Sequence, residues 1–292
     1  MGMHVELIVD SKSLLGEGPS WDREKKVLYW VDILGEQIHF YQPNTTENKT
    51  IDVGQVPGAI APRENGGAVL ALENGFYAYN GAGETFEFIC NPEEHLPHNR
   101  FNDGKCDPAG RFWAGTMDKE EEKRSGTLYC LDENRSVKEK VTGVGISNGI
   151  AWSPDHTYMY YIDTFDNQVV RYQYEMATGE IQNPDSVLSF EQEEGAPDGM
   201  TIDEEGMLWI AHFGGAKVSR WNPATGEKVD EIQVPALNVT CCVFGGENMN
   251  ELFITTARKD MSEEDLQKYP HAGGLFKVKT NVRGCESYKF SG

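Results

Sequence analysis

Four segments of the sequence each place a carboxylate or carboxamide side chain beside Gly or Pro, at the start of an apolar run. They read GEGPSWD (16–22), RFNDGKCDPAGRFWAGTMD (100–118), SNGIAWSPD (147–155) and PDGMTIDEEGMLWIA (197–211). Glu17, Asn102, Asn148 and Asp198 hold the same place in the four segments. A single Asp or Asn of this kind is more often a turn residue, but turn formation does not require one shared place in several repeats. We therefore expect these side chains to meet at one point.

The oxygen atoms of this set suit a hard divalent cation. Glu17, Asn148 and Asp198 offer two carboxylates and one carboxamide carbonyl, which is the ligand chemistry of Ca²⁺, Mg²⁺ and Mn²⁺ sites. No Cys or His occupies these places, which disfavours a structural zinc site. The pattern predicts a cation site built from distant parts of the chain.

Arg100 precedes Asn102 by two residues in the segment HNRFNDGK. Residues i and i+2 of an extended strand point to the same side, so we expect both side chains to face the site, with Phe101 packed behind them. A guanidinium group in that place would hold a polyhydroxylated or carboxylate-bearing ligand. The alternative is a surface salt bridge, which is common in an acidic chain.

The opening residues recur at intervals of 41–50 positions along the whole chain, at Glu17, Gly58, Asn102, Asn148, Asp198 and Thr240. Each unit contains short runs rich in Val, Ile, Tyr, Phe and Trp, separated by turn sequences such as DEEG and NPATGE. About four strands in each of six units predict an all-β protein, a six-bladed β-propeller. A β-sandwich would not repeat the same opening motif at near-constant spacing. We expect one domain over residues 1–292.

Two segments fall outside the repeat. The run HVELIVD (4–10) precedes the first opening motif, so we expect it to supply the outer strand of the last blade and close the ring. The segment SEEDLQKYP (262–270) begins with Ser and acidic residues and stops at Pro, which predicts a short surface helix or loop insertion.

Composition excludes several classes of function. Asp and Glu number 47 against 26 Lys and Arg, a net charge of −21, which argues against nucleic acid and anionic membranes as partners. No run approaches the length of a membrane helix, and the N-terminus lacks the features of a signal peptide. Six cysteines without CxxC spacing fit free thiols in a cytoplasmic protein. A P-loop, GxGxxG and HExxH are all absent from the sequence.

The remaining conspicuous residues favour structural interpretations. We expect Trp21, Trp113, Trp152 and Trp209, which recur just after the opening motifs, to pack between blades. Cys241 and Cys242 are interpreted as small buried residues, and His212 as a core or edge histidine. His98 is a weak candidate for the site.

The motifs quoted above, together with TCCVFGG (240–246) and HAGGLFKV (271–278), resemble those of the senescence marker protein, gluconolactonase and luciferin-regenerating enzyme family. The resemblance runs from about residue 5 to residue 284 and implies a six-bladed propeller with one divalent metal at the channel mouth. It implies Glu17, Asn148 and Asp198 as metal ligands. Arg100 and Asn102 match the substrate contacts of the family, and a further Glu after GTM falls at Glu120.

The resemblance implies a metal-dependent lactonase that hydrolyses gluconolactone-like sugar lactones to aldonic acids. Asp198 is then a metal ligand and the expected general base for water. Ca²⁺ is the expected cation, with Zn²⁺, Mn²⁺ and Mg²⁺ as alternatives. The rival functions are an organophosphate or aryl-ester hydrolase on the same propeller, and a non-catalytic calcium-binding regulator. The expected partner is a small-molecule lactone, and no obligate protein partner is evident.

Overall fold

Six four-stranded antiparallel sheets form the structure, a computed structural model that describes residues 4–292. In five of the sheets the four strands follow one another in chain order, and in the sixth the first strand of the chain takes the outer place. This arrangement is the six-bladed β-propeller that the repeat spacing predicted.

The strands of the first three blades are β2 (Gly16–Asp22), β3 (Val27–Asp32), β4 (Gln37–Gln42) and β5 (Glu47–Asp52); β6 (Pro57–Pro62), β7 (Ala68–Leu72), β8 (Gly75–Asn80) and β9 (Thr85–Cys90); and β10 (Asn99–Cys106), β11 (Phe112–Asp118), β12 (Gly126–Leu131) and β13 (Val137–Val144). The strands of the last three blades are β14 (Ser147–Trp152), β15 (Tyr158–Asp163), β16 (Gln168–Glu175) and β17 (Glu180–Ser189); β18 (Ala196–Ile202), β19 (Leu208–Phe213), β20 (Lys217–Asn222) and β21 (Glu227–Gln233); and β22 (Asn238–Gly245), β23 (Glu251–Ala257), β24 (Leu275–Lys279) and β1 (Val5–Val9).

The innermost strands β2, β6, β10, β14, β18 and β22 each contact the next one around the ring, and β22 contacts β2. Strand β1 pairs with β24, so that Val5 lies opposite Val278 and Leu7 opposite Phe276. The last blade is therefore completed by the beginning of the chain, as the HVELIVD segment predicted, and this pairing covers the open edge of β24.

Large aromatic side chains pack the blades against one another. Trp113 lies 5.9 Å from Trp152 of the next blade, ring centre to ring centre. Trp209 lies 5.6 Å from Phe244 of the following blade. Trp21 stacks on Phe253 across the closing junction at 5.5 Å. The tryptophans that follow the opening motifs therefore lie between blades, as predicted, in edge-to-face or stacked arrangements that aromatic pairs favour.

Buried aspartates fix the turns at the lower end of the blades, where the inner strands end. Asp107 Oδ2 accepts a hydrogen bond from Trp113 Nε1 at 2.9 Å, and Asp203 Oδ2 accepts one from Trp209 Nε1 at the same distance. Their Oδ1 atoms accept hydrogen bonds from backbone N–H groups of the turn. The repeated Asp, turn and Trp pattern thus has a structural role, because each buried carboxylate is satisfied locally.

Glycine at the upper end of the inner strands lets neighbouring blades approach closely. A Cβ atom at Gly199 would lie 2.2 Å from Cys241 Sγ, and one at Gly58 would lie 2.6 Å from the carbonyl oxygen of Asn102. Both contacts are far shorter than van der Waals distance, so only glycine fits. The Asp198-Gly199 pair therefore combines a polar side chain for the channel with the close packing that brings its neighbours near.

Every inner strand carries a register irregularity at this same upper end. The shifts fall between Glu17 and Ser20, Pro57 and Ala59, Phe101 and Gly104, Ser147 and Ile150, Pro197 and Met200, and Val239 and Cys241. A bulge bends a strand and changes the direction of its side chains. Strict alternation of side chains therefore fails where the opening motifs lie.

The C-terminal tail, residues 281–292, runs across the lower ends of all six blades. Its contacts, from the first blade to the sixth, are Lys289 with Asp22, Phe290 with Pro62, Ser291 with Gly110, Tyr288 with His156, Cys285 with Ile202 and Gly284 with Met249. Only a space of about 30 Å³ separates the tail from Lys105 and its neighbours at that end of the channel.

Other sequence expectations agree with the structure. The predicted short helix is α1 (Glu263–Lys268), which begins with a capping box between Ser262 and Asp265. All six cysteines are free thiols. Among the helices of residues 4–292, none is long and apolar enough to cross a membrane.

Removal of residues 1–10 should destabilise the ring, because β24 would become an exposed edge. Leu7, Ile8 and Val9 are partly buried against the core of the last blade, and their loss should cost on the order of 3 kcal/mol or more. We expect a lower melting temperature and faster aggregation on heating, measured by circular dichroism and light scattering. A truncated protein that melts at the temperature of the full chain would show that β1 does not hold the ring closed.

Candidate functional site

A cavity of about 180 Å³ lies at the upper end of the inner strands. It is lined by Leu15, Glu17, Arg100, Asn102, Met117, Glu121, Ile146, Asn148, Thr164, Ala196, Asp198, Phe213 and Lys259. Four of the six opening positions are in this lining, and Gly58 and Thr240 are not. Of the six residues that the sequence proposed as cation ligands and substrate contacts, the structure brings five together in this lining, and the sixth, Glu120, is not part of it.

Three buried carboxylates from alternate blades lie close together, and two of them, Glu17 and Asp198, line this cavity. Glu17 and Asp198 lie within side-chain hydrogen-bonding contact, and the charge of Asp103 acts on both. Glu17 Oε2 accepts a hydrogen bond from the N–H of Gly18 at 2.8 Å, and Asp103 Oδ1 accepts one from Gly104 at 2.8 Å. Asp103 Oδ2 is buried without a hydrogen-bond partner among residues 4–292.

Burial raises the pKa of all three carboxyl groups, and repulsion from neighbouring carboxylates raises it further for Glu17 and Asp198. The pKa of Glu17 rises from 4.5 to about 8, chiefly through burial and secondly through the charge of Asp103. Burial, followed by the charge of Glu17, raises the pKa of Asp198 well above its ordinary range. Burial also raises the pKa of Asp103, against the opposing effect of Lys105. The cluster therefore needs protons or a cation to offset its charge.

This cluster fits a divalent cation. Its donors are oxygen atoms, one of them has no other partner, and the carboxylates would release protons when a cation binds. Glu17 and Asp103 also lie near the Cys241 thiol, with the three potential ligand atoms within 4.8 Å of one another. Burial raises the pKa of Cys241 well above its ordinary value, so the thiol stays protonated and is a poor ligand. The oxygen set with Asn148 and Asp198 is therefore the better ligand set.

A chain of hydrogen bonds runs from Arg100 through three polar side chains to the backbone of the next blade. Arg100 Nη1 donates to Asn102 Oδ1 at 2.8 Å, and Asn102 Nδ2 donates to Asn148 Oδ1 at 3.1 Å. Asn148 Nδ2 donates to Thr164 Oγ1 at 2.7 Å, whose hydroxyl donates to the carbonyl oxygen of Pro197 at 2.8 Å. The guanidinium and both carboxamides are thereby held in place around the cavity.

Arg100 and Asn102 point to the same side of β10, as the i, i+2 spacing predicted, and Phe101 is buried behind them. Asn102 Nδ2 also donates to the carbonyl oxygen of Ser147 at 2.8 Å. Both amide hydrogens of Asn102 are therefore used within the protein. Its side chain supports the neighbouring blade and leaves only Oδ1 with capacity to accept a further hydrogen bond.

An ion pair crosses the opening of the cavity. Lys259 Nζ, in the loop after β23, donates to Glu121 Oε1, in the loop after β11, at 2.5 Å. These loops belong to the sixth and third blades, which lie on opposite sides of the ring. Glu120 is exposed and is not part of the cavity wall, so the structure places Glu121 where the sequence had Glu120.

Several residues of the site were not found from the sequence. Asp103 follows Asn102 directly, and alternation would turn it away from the channel, but the bulge between Phe101 and Gly104 lets both face inward. Thr164 and Lys259 lie outside the opening motifs and reach the site only through folding. The one feature of the sequence that could have pointed to Asp103 is its place directly after Asn102.

The histidines and cysteines singled out from the sequence take no part in this cavity. His98 is exposed, and His212 is buried beside Ser219, with its Nε2 atom 2.6 Å from Ser219 Oγ. Cys241 and Cys242 are buried, as expected. Catalysis by these groups has no structural support.

We expect the metal-free protein to lose thermal stability as the pH rises from about 6 to about 8. A carboxyl group with a raised folded-state pKa stabilises the folded protein at low pH, and this contribution is lost as the pH rises through the folded value. For Glu17 this loss of stability falls in the pH range from 4.5 to about 8. Melting temperatures in EDTA at both pH values, with and without excess Ca²⁺, measure the effect.

Added Ca²⁺ should raise the melting temperature more at the higher pH, because fewer protons then compete for the ligands. Glu17→Gln should reduce the pH dependence of the metal-free protein, since it removes one titrating group. A metal-free protein that is equally stable at both pH values would contradict the carboxylate cluster described above.

Comparison with known proteins places this chain among close relatives. The family described as SMP-30/Gluconolactonase/LRE-like region matches residues 15–258. A putative sugar lactone lactonase of Bacillus subtilis is 41% identical over 290 residues, which cover 99% of each chain. Human regucalcin is 36% identical over 294 residues, which cover 99% of this chain and 98% of regucalcin.

Two solved structures are similar over almost their whole length. A luciferin-regenerating enzyme superposes with a TM-score of 0.93 at 34% identity, covering 99% of this chain and 100% of the enzyme. A calcium-binding protein, regucalcin, from Agrobacterium tumefaciens gives a TM-score of 0.93 at 26% identity, covering 99% of this chain and 97% of the other. The similarity includes all six blades.

Proposed function

This chain belongs to the SMP-30/gluconolactonase/LRE-like family, and from that premise we propose that it is a divalent-metal-dependent lactonase acting on sugar lactones. The observation that carries the proposal is the convergence of Glu17, Asn148 and Asp198 with Arg100 on one cavity. The name of the Bacillus subtilis relative, a putative sugar lactone lactonase, supports the same substrate class.

Glu17, Asn148 and Asp198 would hold the cation, with Ca²⁺ as the first choice and Mg²⁺, Mn²⁺ or Zn²⁺ as alternatives. When bound, the cation would polarise the lactone carbonyl and stabilise the negative charge that develops on its oxygen. Asp103, whose Oδ2 has no partner among the described residues, adds negative charge close to the ligands.

Asp198 is the proposed general base, taking a proton from the attacking water at a carboxylate oxygen. Its burial favours proton uptake, because burial and the charge of Glu17 raise its pKa. Lys259 and a bound cation act in the opposite direction and keep the carboxylate available at neutral pH. The charges of Asp198 and Glu17 would then be offset by the bound cation and by Lys259.

Arg100 is the proposed donor to ring hydroxyl groups, since its guanidinium is buried in the cavity wall. Asn102 can accept through Oδ1 and otherwise holds Arg100 and Asn148 in place. We propose Glu121 as the acidic substrate contact, because it faces the cavity and Glu120 does not. An entering lactone would meet the ion pair between Glu121 and Lys259 first.

A calcium-binding regulator is the second candidate, because relatives of this chain carry the name regucalcin and one is described as a calcium-binding protein. An aryl-ester or organophosphate hydrolase is the third, since apolar side chains such as Met117, Ile146 and Phe213 line part of the cavity. Arg100 favours the sugar-lactone enzyme over both, because neither a bare cation nor an apolar ester needs a buried guanidinium there.

We further propose that residues 1–292 act as one domain in the cytoplasm without an obligate partner. The continuous ring of inner strands supports the first point, and six free cysteines fit a reducing compartment.

Hydrolysis of gluconolactone by the metal-stripped protein, with divalent ions added back singly, tests the proposal. Acid release followed in a pH-stat should depend on the added ion. Ion binding without hydrolysis of any lactone would favour the calcium-binding regulator, and turnover of an aryl ester alone would favour the third candidate.

Asp198→Asn should lower kcat for gluconolactone at least about 100-fold, because it removes the proposed base and one charged ligand while keeping the side-chain shape. Asp230→Asn is a matched control, since Asp230 is exposed and lies on an outer strand. Wild-type turnover and metal content in Asp198→Asn would refute the assignment. Circular dichroism should show that both variants are folded.

Arg100→Ala should harm hydrolysis of gluconolactone more than that of δ-valerolactone, which has the same ring size but no hydroxyl groups. A lost hydrogen bond from a charged donor costs about 1.5–3 kcal/mol, or roughly 10–100-fold in kcat/KM. The loss on δ-valerolactone measures how much Arg100 contributes by holding Asn102. Equal losses on the two lactones would show that Arg100 only supports the site.

A further inference from the structure

We propose that Thr164 is a positioning residue that, together with Asn102, fixes which atom of the Asn148 carboxamide faces the cation, and so contributes to the affinity of the site. The inference rests on the proposed function in one respect, that Asn148 is a cation ligand. It concerns a residue outside the repeated opening motifs, at the end of the second strand of the fourth blade.

A carboxamide has two faces of nearly the same shape and opposite hydrogen-bonding character. Its oxygen can bind a cation, whereas its NH₂ group can only donate hydrogen bonds and would repel one. If Asn148 turned over, the site would lose a ligand without any change in packing. Something in the surroundings must therefore select one orientation.

The two ends of the hydrogen-bond chain make this selection. At one end, the guanidinium of Arg100 can only donate, so Asn102 must accept with Oδ1 and donate with Nδ2 toward Asn148. At the other end, the carbonyl of Pro197 can only accept, so the single hydroxyl proton of Thr164 is committed to it. Thr164 Oγ1 must then accept from Asn148, and Nδ2 is the donor.

Both ends thus impose the same orientation on Asn148, with Oδ1 on the side of Asn102 and the cavity. Reversal would place two NH₂ groups against each other at 3.1 Å and would set Oδ1 against Thr164 Oγ1, whose proton is already used. These two mismatched contacts are buried, so they would destabilise the reversed carboxamide relative to the observed one.

The fold holds Thr164 firmly enough for this role. It begins a short 3-10 turn, Thr164–Asp166, and the Asp163 carboxylate accepts hydrogen bonds from Phe165 N, Gly145 N and Ile146 N. The same carboxylate therefore fixes both this turn and the loop that leads into β14, which carries Asn148. The contact of Thr164 with Pro197 also ties it to the residue next to Asp198.

Thr164→Val keeps the branched shape but removes the acceptor for Asn148 and the donor to Pro197. Metal-free protein titrated with Ca²⁺ in a calorimeter should then bind about 10–100-fold more weakly, the range seen when a group that orients a metal ligand is removed. Thr164→Ser retains the hydroxyl and should bind within about threefold of the wild type.

Thr280→Val is the matched control, because Thr280 is buried and its hydroxyl donates to the Val282 carbonyl at 2.7 Å at the lower end of the sixth blade. It should lower the melting temperature without changing Ca²⁺ affinity. If Thr164→Val does not fold, Thr164→Cys compared with Thr164→Ser gives the same test, since a thiol is a weak acceptor.

Equal Ca²⁺ affinity in the wild type and the folded Thr164→Val variant would overturn the role of Thr164. An equal loss in Thr164→Ser and Thr164→Val would also overturn it, because the hydroxyl would then not be the cause. A wild-type protein that binds neither Ca²⁺ nor Mn²⁺ would overturn the metal site itself, and this result is visible before any variant is made.

Discussion

The burial of three carboxyl groups close to one another is the constraint on which the rest of this structure depends. Glu17, Asp103 and Asp198 come from the first, third and fifth blades, so the charges approach from alternate sides of the channel. Buried carboxylates are costly when they are charged and unpaired, and burial raises the pKa of all three groups. The ring around them is held together by β1, which closes the last sheet, and by aromatic side chains at the junctions described above. A stable closed ring therefore permits three buried carboxyl groups to lie close together, and the proposed cation would offset their charge.

The inner strands depart from regular strand geometry near the carboxylates Glu17, Asp103 and Asp198. Each inner strand breaks register at its upper end, and glycine replaces any larger residue where two backbones meet. At the lower end, Asp107 and Asp203 are satisfied by their own turns and by tryptophan. Aspartate thus stabilises turns at the lower end, whereas at the upper end it belongs to the carboxylate cluster. The difference lies in whether local donors are present to satisfy the carboxylate.

Much of the fold could be predicted from the sequence because it repeats. The spacing from Glu17 to Thr240 gave six blades, and the HVELIVD segment gave the closing strand. The shared side of Arg100 and Asn102 followed from strand geometry. The site was predictable only where a residue belongs to a repeated motif. The ligand roles of Glu17, Asn148 and Asp198 remain a prediction, although the structure brings them together.

The residues that escaped prediction depend on features that a repeat does not encode. Asp103 faces inward because of a bulge, and a bulge leaves little trace in a pattern of alternation. Glu121 lies on the cavity in place of its neighbour Glu120, a distinction set by the path of a loop. Thr164 acts through the direction of hydrogen bonds, and Lys259 meets Glu121 across 138 residues of chain.

The position of the C-terminal tail has a consequence for how ligands reach and leave the cavity. The tail contacts the lower ends of all six blades, whereas the cavity lies at the upper end. A ligand of the cavity would then enter and leave at the upper end, past Glu121 and Lys259. An anionic ligand that leaves by this route would pass the Arg100 guanidinium and the Lys259 ammonium. Release of one ligand and entry of the next would therefore share one route.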